Sequence, residues 1–327
     1  MGSWYLLSSK VAVTGGAGFI GANLVRALVE QNREVIVIDN LSRGSNKNLA
    51  GVPIEIRHVD LCNLDATIEA VRGVDCIYHL AARVGSIEYS HRGKHEELEA
   101  LQTNLLIDTN VLRACIASRI TKLVYASSVA VYPIDKQQVL DARFAEEDMF
   151  PINPDGGYGW AKLVGEKQVD LMQDCTSGVG RIFQTFGEYC EFGETAQVVP
   201  ALIRKAINFP EEEFVVWGSG EQTRNLLYVT DCIGALLKLE EKASYPPLMV
   251  NIGSEEKVRI RELAEMIVKI SGKHIPIEFD PSKPTGPLSS VPDLSKAQRV
   301  LNWKPKVRLE DGLRATYKYL ETQRYGR

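Results

Sequence analysis

The sequence predicts an α/β fold: a Rossmann-type doubly wound parallel sheet with a smaller mixed α/β domain. Near its start, an apolar strand pattern runs into a glycine-rich turn and then into a helix pattern. Strand and helix patterns then alternate, which is typical of a parallel sheet with helices on both faces. The second half is interrupted by proline and glycine and has shorter, mixed elements. With 327 residues, the chain can bury one large core or two closely joined domains.

The first unit of the chain combines a strand, a turn and a helix. Lys10 to Thr14 has the pattern of a short buried strand, and Phe19 to Glu30 has helical periodicity. The turn between them reads Thr-Gly-Gly-Ala-Gly-Phe-Ile-Gly. We expect Gly15 to allow a tight turn, Gly18 to let backbone N–H groups approach a pyrophosphate, and Gly21 to let helix pack on strand. This context favours dinucleotide binding over the alternative, an unoccupied strand–helix–strand unit.

An acidic residue follows the second predicted strand. Glu34 to Ile38 is apolar and β-branched after its first residue, and Asp39 comes next. A carboxylate there can accept hydrogen bonds from an adenosine ribose and would repel a 2′-phosphate. The sequence therefore favours NAD as the cofactor, although Arg43 nearby leaves NADP open.

Tyr158 and Lys162 lie one helical turn apart, so they share a helix face. A phenol has a pKa of about 10, and lowering it to roughly 7 needs about 4 kcal/mol. A unit charge at ~4 Å supplies about that much at an effective dielectric near 20. We therefore expect the Lys162 ammonium to favour the ionised form of Tyr158, which would then be a general base. The alternative is a half-exposed tyrosine and a solvated lysine on an ordinary amphipathic helix.

The remaining patterns indicate further strands and helices. Strands are predicted at Ile54 to His58, Cys76 to Leu80, Leu123 to Ser127, Gly180 to Thr185, Phe214 to Trp217, Leu226 to Val229 and Met249 to Ile252. Helices are predicted at Glu96 to Arg119, Tyr158 to Asp174, Thr230 to Glu241, Arg259 to Ser271, Ser295 to Leu301 and Leu309 to Thr322.

The composition favours a cytoplasmic enzyme. A net charge of −4 gives no basic surface for nucleic acid or anionic membrane. No apolar run approaches the ~18 residues needed to span a bilayer, and the first residues lack the pattern of a signal peptide. The six cysteines have no metal-like or redox spacing, so we expect reduced, mostly buried thiols. We expect no metal site, because His91 and His95 lie in a charged segment interrupted by Gly93, which is typical of an exposed loop.

Short motifs in a fixed order resemble the extended short-chain dehydrogenase/reductase family, and within it the nucleotide-sugar epimerases and dehydratases. The resemblance runs from about Lys10 to Tyr319. It rests on the glycine turn, Ile-Asp-Asn-Leu at Ile38, Val-Asp-Leu at Val59, His-Leu-Ala-Ala at His79, Tyr-Ala-Ser-Ser at Tyr125, Tyr-Gly-Trp-Ala-Lys at Tyr158, Trp-Gly-Ser-Gly-Glu-Gln-Thr-Arg at Trp217 and Asn-Ile-Gly-Ser at Asn251.

The resemblance implies a cofactor site and a catalytic group. Tyr158 would take the proton from a sugar hydroxyl, Ser128 would hydrogen-bond the oxygen as it becomes a carbonyl, and Lys162 would also hold the nicotinamide ribose. In an epimerase the keto sugar then turns in the site and takes the hydride back on its other face. The implied cofactor-binding positions are Gly15, Gly18, Phe19, Ile20, Asp39, Asn40, Asp60, Leu61, Leu80, Ala81, Ala82, Tyr158 and Lys162.

The residues after Ser128 distinguish among subfamilies. The resembled 4,6-dehydratases and decarboxylases carry an acid near this position, whereas this chain has Val129 and Ala130, which cannot transfer a proton. The GDP-mannose 3,5-epimerases, which the chain also resembles, use a cysteine where Ala130 stands and a lysine near Gln197. These departures favour epimerisation at C4. The alternatives are a nucleotide-sugar dehydrogenase or reductase, a GDP-mannose 3,5-epimerase-like enzyme, and a non-catalytic dinucleotide-binding sensor.

The resemblance also implies a substrate site for a nucleotide-diphosphate sugar. Gln184 replaces the family's substrate-binding asparagine and keeps an amide donor and acceptor. Arg224 and Lys283 would contact the diphosphate, and Ser290 is small enough to admit an N-acetyl group beside the sugar's C2. We expect residues 1–180, with 226–251 returning, to form the NAD-binding domain, and 181–225 and 252–327 to bind the nucleotide sugar. We also expect a homodimer formed by two pairs of long helices.

Overall fold

The computed structural model describes residues 9–84, 93–139, 141–193, 196–283 and 290–325. The strands are β1 (Lys10–Thr14), β2 (Glu34–Asp39), β3 (Glu55–His58), β4 (Cys76–His79), β5 (Lys122–Ser128), β6 (Arg143–Phe144), β7 (Thr176–Ile182), β8 (Thr185–Phe186), β9 (Val215–Trp217), β10 (Thr223–Arg224), β11 (Leu227–Tyr228), β12 (Leu248–Ile252), β13 (Val258–Arg259), β14 (Glu278–Asp280) and β15 (Val291–Pro292). Seven of them form a wholly parallel central sheet in the strand order β12-β7-β5-β4-β1-β2-β3.

The helices follow in chain order and confirm the predicted Rossmann-type α/β fold. They are α1 (Phe19–Glu30), α2 (Leu64–Ala70), α3 (Lys94–Ala117), α4 (Ile134–Gln137), α5 (Gly156–Leu171), α6 (Val198–Asn208), α7 (Val229–Glu241), α8 (Ile260–Ser271), α9 (Ser295–Leu301) and α10 (Leu309–Tyr325), with short 3-10 turns at Asn46–Leu49 and Val129–Val131.

The strand order reverses direction between β1 and β4. From β1 the sheet continues through β2 to β3 on one side, and through β4, β5 and β7 to β12 on the other. The carboxyl ends of parallel strands at such a switch point leave a crevice, which is where ligands bind in open α/β sheets. Within the described residues, no helix is both long and apolar enough to span a membrane.

Strand β7 begins earlier than the sequence predicted, at Thr176 rather than Gly180. Its glycines face crowded neighbours: a Cβ atom on Gly178 would lie 2.5 Å from the Leu239 side chain, and one on Gly180 would lie 2.6 Å from that of Ile252. Small residues are therefore needed for α7 and β12 to pack closely on this strand. The first residues of β7 have few apolar side chains, so hydrophobic periodicity did not indicate that the strand begins there.

Helix α6 was not predicted, because Pro200 was interpreted as an interruption. The helix begins at Val198, so the proline lies in its first turn. There its missing N–H has no helical partner to lose, and its fixed φ is compatible with the helix. The buried side chains that follow Pro200, including Leu202, Ile203 and Ala206, attach α6 to the core.

Candidate active site

The ends of β5 and α5 bring the predicted catalytic residues together. Ser128 is the last residue of β5, and its hydroxyl accepts a hydrogen bond of 3.2 Å from the backbone N–H of Ala130. Tyr158 lies in the first turn of α5, and its hydroxyl is close enough to the Ser128 side chain for that group to influence its pKa. A Cβ atom on Gly159 would overlap the carbonyl oxygen of Ala130, so this glycine allows α5 to lie against the segment after Ser128.

The charge environment of Tyr158 differs from the sequence-based expectation. Burial of its hydroxyl raises the pKa of the Tyr158 phenol, the Ser128 side chain lowers it, and the negative charge of Asp108 raises it further. The net direction is upward. Lys162 follows one turn later on α5, but its Nζ atom lies 3.3 Å from Oδ1 of Asp108, so its charge is balanced there. The expected lowering of the Tyr158 pKa by Lys162 alone was therefore wrong.

The glycine turn has the predicted geometry. Gly15 has a φ of +69°, and a Cβ atom there would lie 2.8 Å from backbone atoms of Ala81. A Cβ atom on Gly21 would overlap the carbonyl oxygen of Gly15. Gly18 is the N-cap of α1, and no side chain of the described residues caps that helix end. The N–H groups of its first turn, at Phe19 and Ile20, thus suit a pyrophosphate.

Asp39 ties the end of β2 to this turn. Its Oδ2 accepts a hydrogen bond of 3.0 Å from the N–H of Ala17, and its Oδ1 accepts one of 2.8 Å from that of Leu41. A carboxylate has further lone pairs, so these bonds leave acceptor capacity for a ribose. Arg43, which left NADP open, pairs with Glu191 at 2.8 Å, so its charge already has a carboxylate partner.

The other predicted cofactor positions border the same strand ends. The N–H groups of Leu80 and Ala81, just after β4, each lie 3.2 Å from the hydroxyl of Thr14, which ends β1. Val59 donates to the carbonyl oxygen of Asp39 at 3.3 Å, which brings the segment after β3 beside the end of β2. That segment holds an exposed Asp60 and a buried Leu61; Asn40 is also exposed, and Ala82 is partly buried.

Sequence reasoning missed Asp108, a buried carboxylate on α3. It joins Lys162, His79 and Tyr125 in one hydrogen-bonded cluster. Asn104, one turn earlier on α3, is also buried; its side chain accepts from the N–H of Arg83 at 2.7 Å and donates to the Arg83 carbonyl at 3.0 Å. On this helix, Asn104 and Asp108 are buried while Leu98 and Leu106 are exposed. Polar residues among the leucines of a predicted helix were therefore the sequence signal that could have indicated these positions.

The predicted substrate positions have different environments. The Oε1 atom of Gln184 is buried and has no hydrogen-bond partner among the described residues. Arg224 is buried, and desolvation lowers the pKa of its guanidinium to about 10. Ser290 is buried beside β15, whereas Lys283 is exposed, with its Nζ atom 5.9 Å from the centre of the Trp217 ring. A buried orphan acceptor and a desolvated cation are features of a ligand site.

All six cysteines are free thiols, four of them buried. The described residues contain no group of three or more side chains that could hold a metal. His91, considered above with His95, lies outside the described residues.

Comparison with known proteins shows the family. A model of the NAD dependent epimerase/dehydratase family matches residues 11–253, so the chain belongs to that family and is an enzyme. GDP-mannose 3,5-epimerase 1 of Oryza sativa subsp. japonica is 29% identical over 325 residues, covering 98% of this chain and 84% of the rice protein. UDP-glucuronic acid decarboxylase 1 of Arabidopsis thaliana is 32% identical over 316 residues, covering 93% and 68% of the two chains.

Solved structures add a second group of relatives. A UDP-glucose 4-epimerase of Thermotoga maritima, with UDP-glucose, has a TM-score of 0.86 at 26% identity and covers 96% of this chain and 99% of its own. A UDP-N-acetylglucosamine 4-epimerase of Methanobrevibacter ruminantium has a TM-score of 0.85 at 27% identity and covers 97% and 99%. The family is NAD dependent, which confirms NAD as the cofactor, and its members here act on nucleotide sugars.

Proposed function

We propose that this enzyme epimerises a nucleotide-diphosphate sugar at C4 through a transient 4-keto intermediate. The observation that carries the proposal is that the Tyr158 and Ser128 side chains lie next to each other at the carboxyl end of β5, on the same edge of the parallel sheet as the glycine turn. The two residues that follow Ser128 are Val129 and Ala130, and neither has an acidic or basic side chain. Oxidation and reduction at one carbon is the chemistry that this set of groups supports.

Each residue of the candidate site has a separate proposed role in catalysis or binding. The pKa of Tyr158 is raised in the protein alone, and the positive charge of a bound nicotinamide ring would favour its phenolate. As phenolate, Tyr158 removes the proton of the sugar's 4-hydroxyl and later returns it, and Ser128 donates a hydrogen bond to the oxygen that becomes a carbonyl. Bound NAD would supply the hydride acceptor for the oxidation and the hydride donor for the reduction. The glycine turn and Asp39 would hold the pyrophosphate and the adenosine ribose, and Lys162 the nicotinamide ribose.

A second candidate is 3,5-epimerisation, which the identity to the rice GDP-mannose 3,5-epimerase favours. That reaction needs a base and an acid to exchange protons at carbons next to a ketone. Ala130 and Gln197 stand where the resemblance implies a cysteine and a lysine, and neither side chain titrates. The missing groups are the reason that we prefer C4.

The substrate's nucleotide end is proposed to lie against residues 181–225 and 252–327, opposite residues 1–180 and 226–251, which would hold NAD. Within that proposal the amide of Gln184 would contact the sugar, the guanidinium of Arg224 the diphosphate, and Lys283 and Ser290 would flank them. The unpartnered Oε1 atom of Gln184 and the desolvated guanidinium of Arg224 support this arrangement.

Replacing Arg224 tests the diphosphate contact. We expect Arg224→Met to raise KM for the nucleotide sugar about 10- to 100-fold with little change in kcat, because a hydrogen bond to a charged group is worth about 1.5–3 kcal/mol. Steady-state kinetics measure the change. Arg72→Met removes an exposed arginine and should leave both constants alone. An unchanged KM in folded Arg224→Met would remove Arg224 from the substrate site.

We propose a homodimer in which α3 and α5 of each protomer pair with those of the other. These helices pack together and leave large apolar side chains exposed: on α3, Leu106 is 51% and Ile116 64% exposed, and on α5, Trp160 is 43% and Leu171 65% exposed. Apolar surface of this kind on two adjacent helices is suited to a four-helix interface with a second copy.

Leu106→Glu should therefore make the protein monomeric, since a charge buried in an apolar interface weakens association by about 100-fold or more. Sedimentation velocity at several concentrations measures this. Val139→Glu, at a similarly exposed apolar residue outside both helices, is the matched control and should stay dimeric. A wild-type protein that sediments as a monomer would contradict the proposed interface.

The proposed reaction is tested with a panel of UDP-, GDP-, dTDP- and CDP-sugars, separated by chromatography while the NADH absorbance band is recorded. We expect two sugars differing at C4 to interconvert without net change in NAD. Accumulation of NADH from added NAD would instead indicate a dehydrogenase. No turnover of any sugar, with NAD bound, would indicate a non-catalytic sensor.

A further inference from the structure

Asp108 on α3 contacts three other elements behind the candidate active site. Its Oδ1 atom lies 3.0 Å from Nε2 of His79 and 3.3 Å from Nζ of Lys162, and its Oδ2 atom accepts a 2.6 Å hydrogen bond from the Tyr125 hydroxyl. The side chains of Asp108 and His79 are wholly buried, and that of Lys162 is 1% exposed. Buried charges are unfavourable unless paired, so this geometry fixes the ammonium in place.

The hydrogen bonds define the protonation of His79. The Thr14 hydroxyl accepts from two backbone N–H groups and lies 2.7 Å from Nδ1 of His79, so we assign its own proton to that nitrogen. The Nε2–H of His79 is then left to donate to Asp108. Burial lowers the pKa of His79, which agrees with a neutral ring. The carboxylate thus has two neutral donors and one cation.

Close packing preserves the space for this cluster. A Cβ atom on Gly165 would overlap the Tyr125 hydroxyl and lie 2.9 Å from Oδ2 of Asp108. The Nζ atom of Lys162 also lies 4.6 Å from the centre of the Tyr125 ring, a cation–π distance. The nearest further acid on α5, Glu166, is bound to Arg181 and Ser127.

We propose that Asp108 is a positioning residue that holds the Lys162 ammonium and, by its negative charge, sets the pH at which Tyr158 becomes a base. The inference rests on the proposed function only in taking Tyr158 as that base. Asp108 touches neither the sugar nor the reacting atoms in this account; it acts through Lys162 and through its field at Tyr158.

The charges within the described cluster support this role. Burial alone would raise the pKa of Asp108, but the ammonium of Lys162 and the hydrogen bonds from His79 and Tyr125 lower it, so the carboxylate is ionised at neutral pH. Burial and the charge of Asp108 both raise the pKa of Tyr125, which stays a neutral donor. The Asp108 charge also opposes ionisation of Tyr158.

Asp108→Asn removes this charge at almost constant shape. The phenolate is the active form, so the rate falls as pH drops through the pKa of Tyr158; the variant should move this acid limb about one unit to lower pH. Ionisation of Tyr158 can also be followed without turnover, by titrating the ultraviolet absorbance of tyrosinate in the NAD-loaded protein and subtracting the same titration of a protein that also carries Tyr158→Phe. The pH midpoint of this difference should shift by the same amount as the acid limb. Asp170→Asn, at a half-buried carboxylate on α5 that pairs with Lys167, should shift neither.

Tyr125→Phe gives a shift of opposite sign and retains the buried ion pair. Without the donor at Oδ2, the Asp108 charge is less compensated, so the acid limb and the tyrosinate band should move a few tenths of a unit to higher pH. If Asp108→Asn does not fold, this variant decides alone. Unshifted curves in a folded Asp108→Asn, or no upward shift in Tyr125→Phe, would overturn the proposal. The tyrosinate titration needs no sugar, so failure of the proposal for Asp108 can be distinguished from failure of the epimerase proposal.

Discussion

Tyr158→Phe should slow epimerisation by about 100-fold or more while leaving the fold and NAD binding intact. The substitution removes one oxygen from a side chain whose partner is Ser128, so packing changes little. A positioned general acid–base contributes about 10²- to 10⁴-fold to the rate, and no other titratable group directly follows Ser128 to replace it. We therefore expect kcat to fall by about that factor, measured by chromatographic assay at saturating nucleotide sugar.

The matched control for this loss is Tyr245→Phe, which removes the hydroxyl of an exposed tyrosine and should keep full activity. Retention of NAD by Tyr158→Phe, identified after denaturation, separates lost chemistry from lost cofactor. Activity within a small factor of wild type would show that another group takes the proton. Unchanged biological activity without turnover would instead favour the sensor alternative.

Gly21→Ala should disrupt the cofactor turn and destabilise the protein. The added methyl group would overlap the carbonyl oxygen of Gly15 and lie 2.7 Å from Cα of Gly16, and both are backbone atoms that cannot rotate away. Overpacking of this kind costs about 1–3 kcal/mol, and relief by shifting the turn would displace the N–H groups proposed to bind the pyrophosphate. We expect a lower free energy of unfolding and a severe loss of NAD affinity, measured by denaturant titration and calorimetry.

Gly234→Ala provides a control of the same chemistry in helix α7. A Cβ atom there would lie 3.8 Å from Nε1 of Trp303, an ordinary contact. Since alanine is favoured over glycine in a helix interior by about 1 kcal/mol, this variant should be as stable as wild type or more so. NAD binding by Gly21→Ala at wild-type affinity would contradict the close approach of helix and turn.

Local patterns predicted much of the fold. The bounds of β1, α1 and α9 agree with the predicted ranges because apolar periodicity, glycine and proline determine them within a few residues of sequence. The parallel sheet with helices on both faces also followed, because alternating strand and helix patterns favour that architecture. Features that depend on long-range packing were not predicted. The start of β7, for example, has small residues because it packs against Leu239, which lies far along the chain.

Candidate site residues that lie within a short sequence motif could be predicted, whereas contacts between residues far apart in the sequence could not. The glycine turn, Ser128 and Tyr158 could be proposed as site residues because their local sequence is characteristic, and the structure brings Ser128 and Tyr158 close together. The pairing of Lys162 with Asp108 could not be, because it joins different helices and depends on burial. Burial also reversed the expected direction of the Tyr158 pKa, which composition and spacing do not reveal.

Running the reaction in D2O tests the central claim, that Tyr158 with NAD exchanges hydrogen at C4 alone. Protons next to the 4-keto group exchange with solvent only if a base reaches them, and Val129 and Ala130 offer none. We expect epimerised product with its original hydrogen at C4 and no deuterium on any sugar carbon, as measured by mass spectrometry and NMR. Deuterium at C3 or C5 would contradict it and establish the 3,5-epimerase chemistry instead.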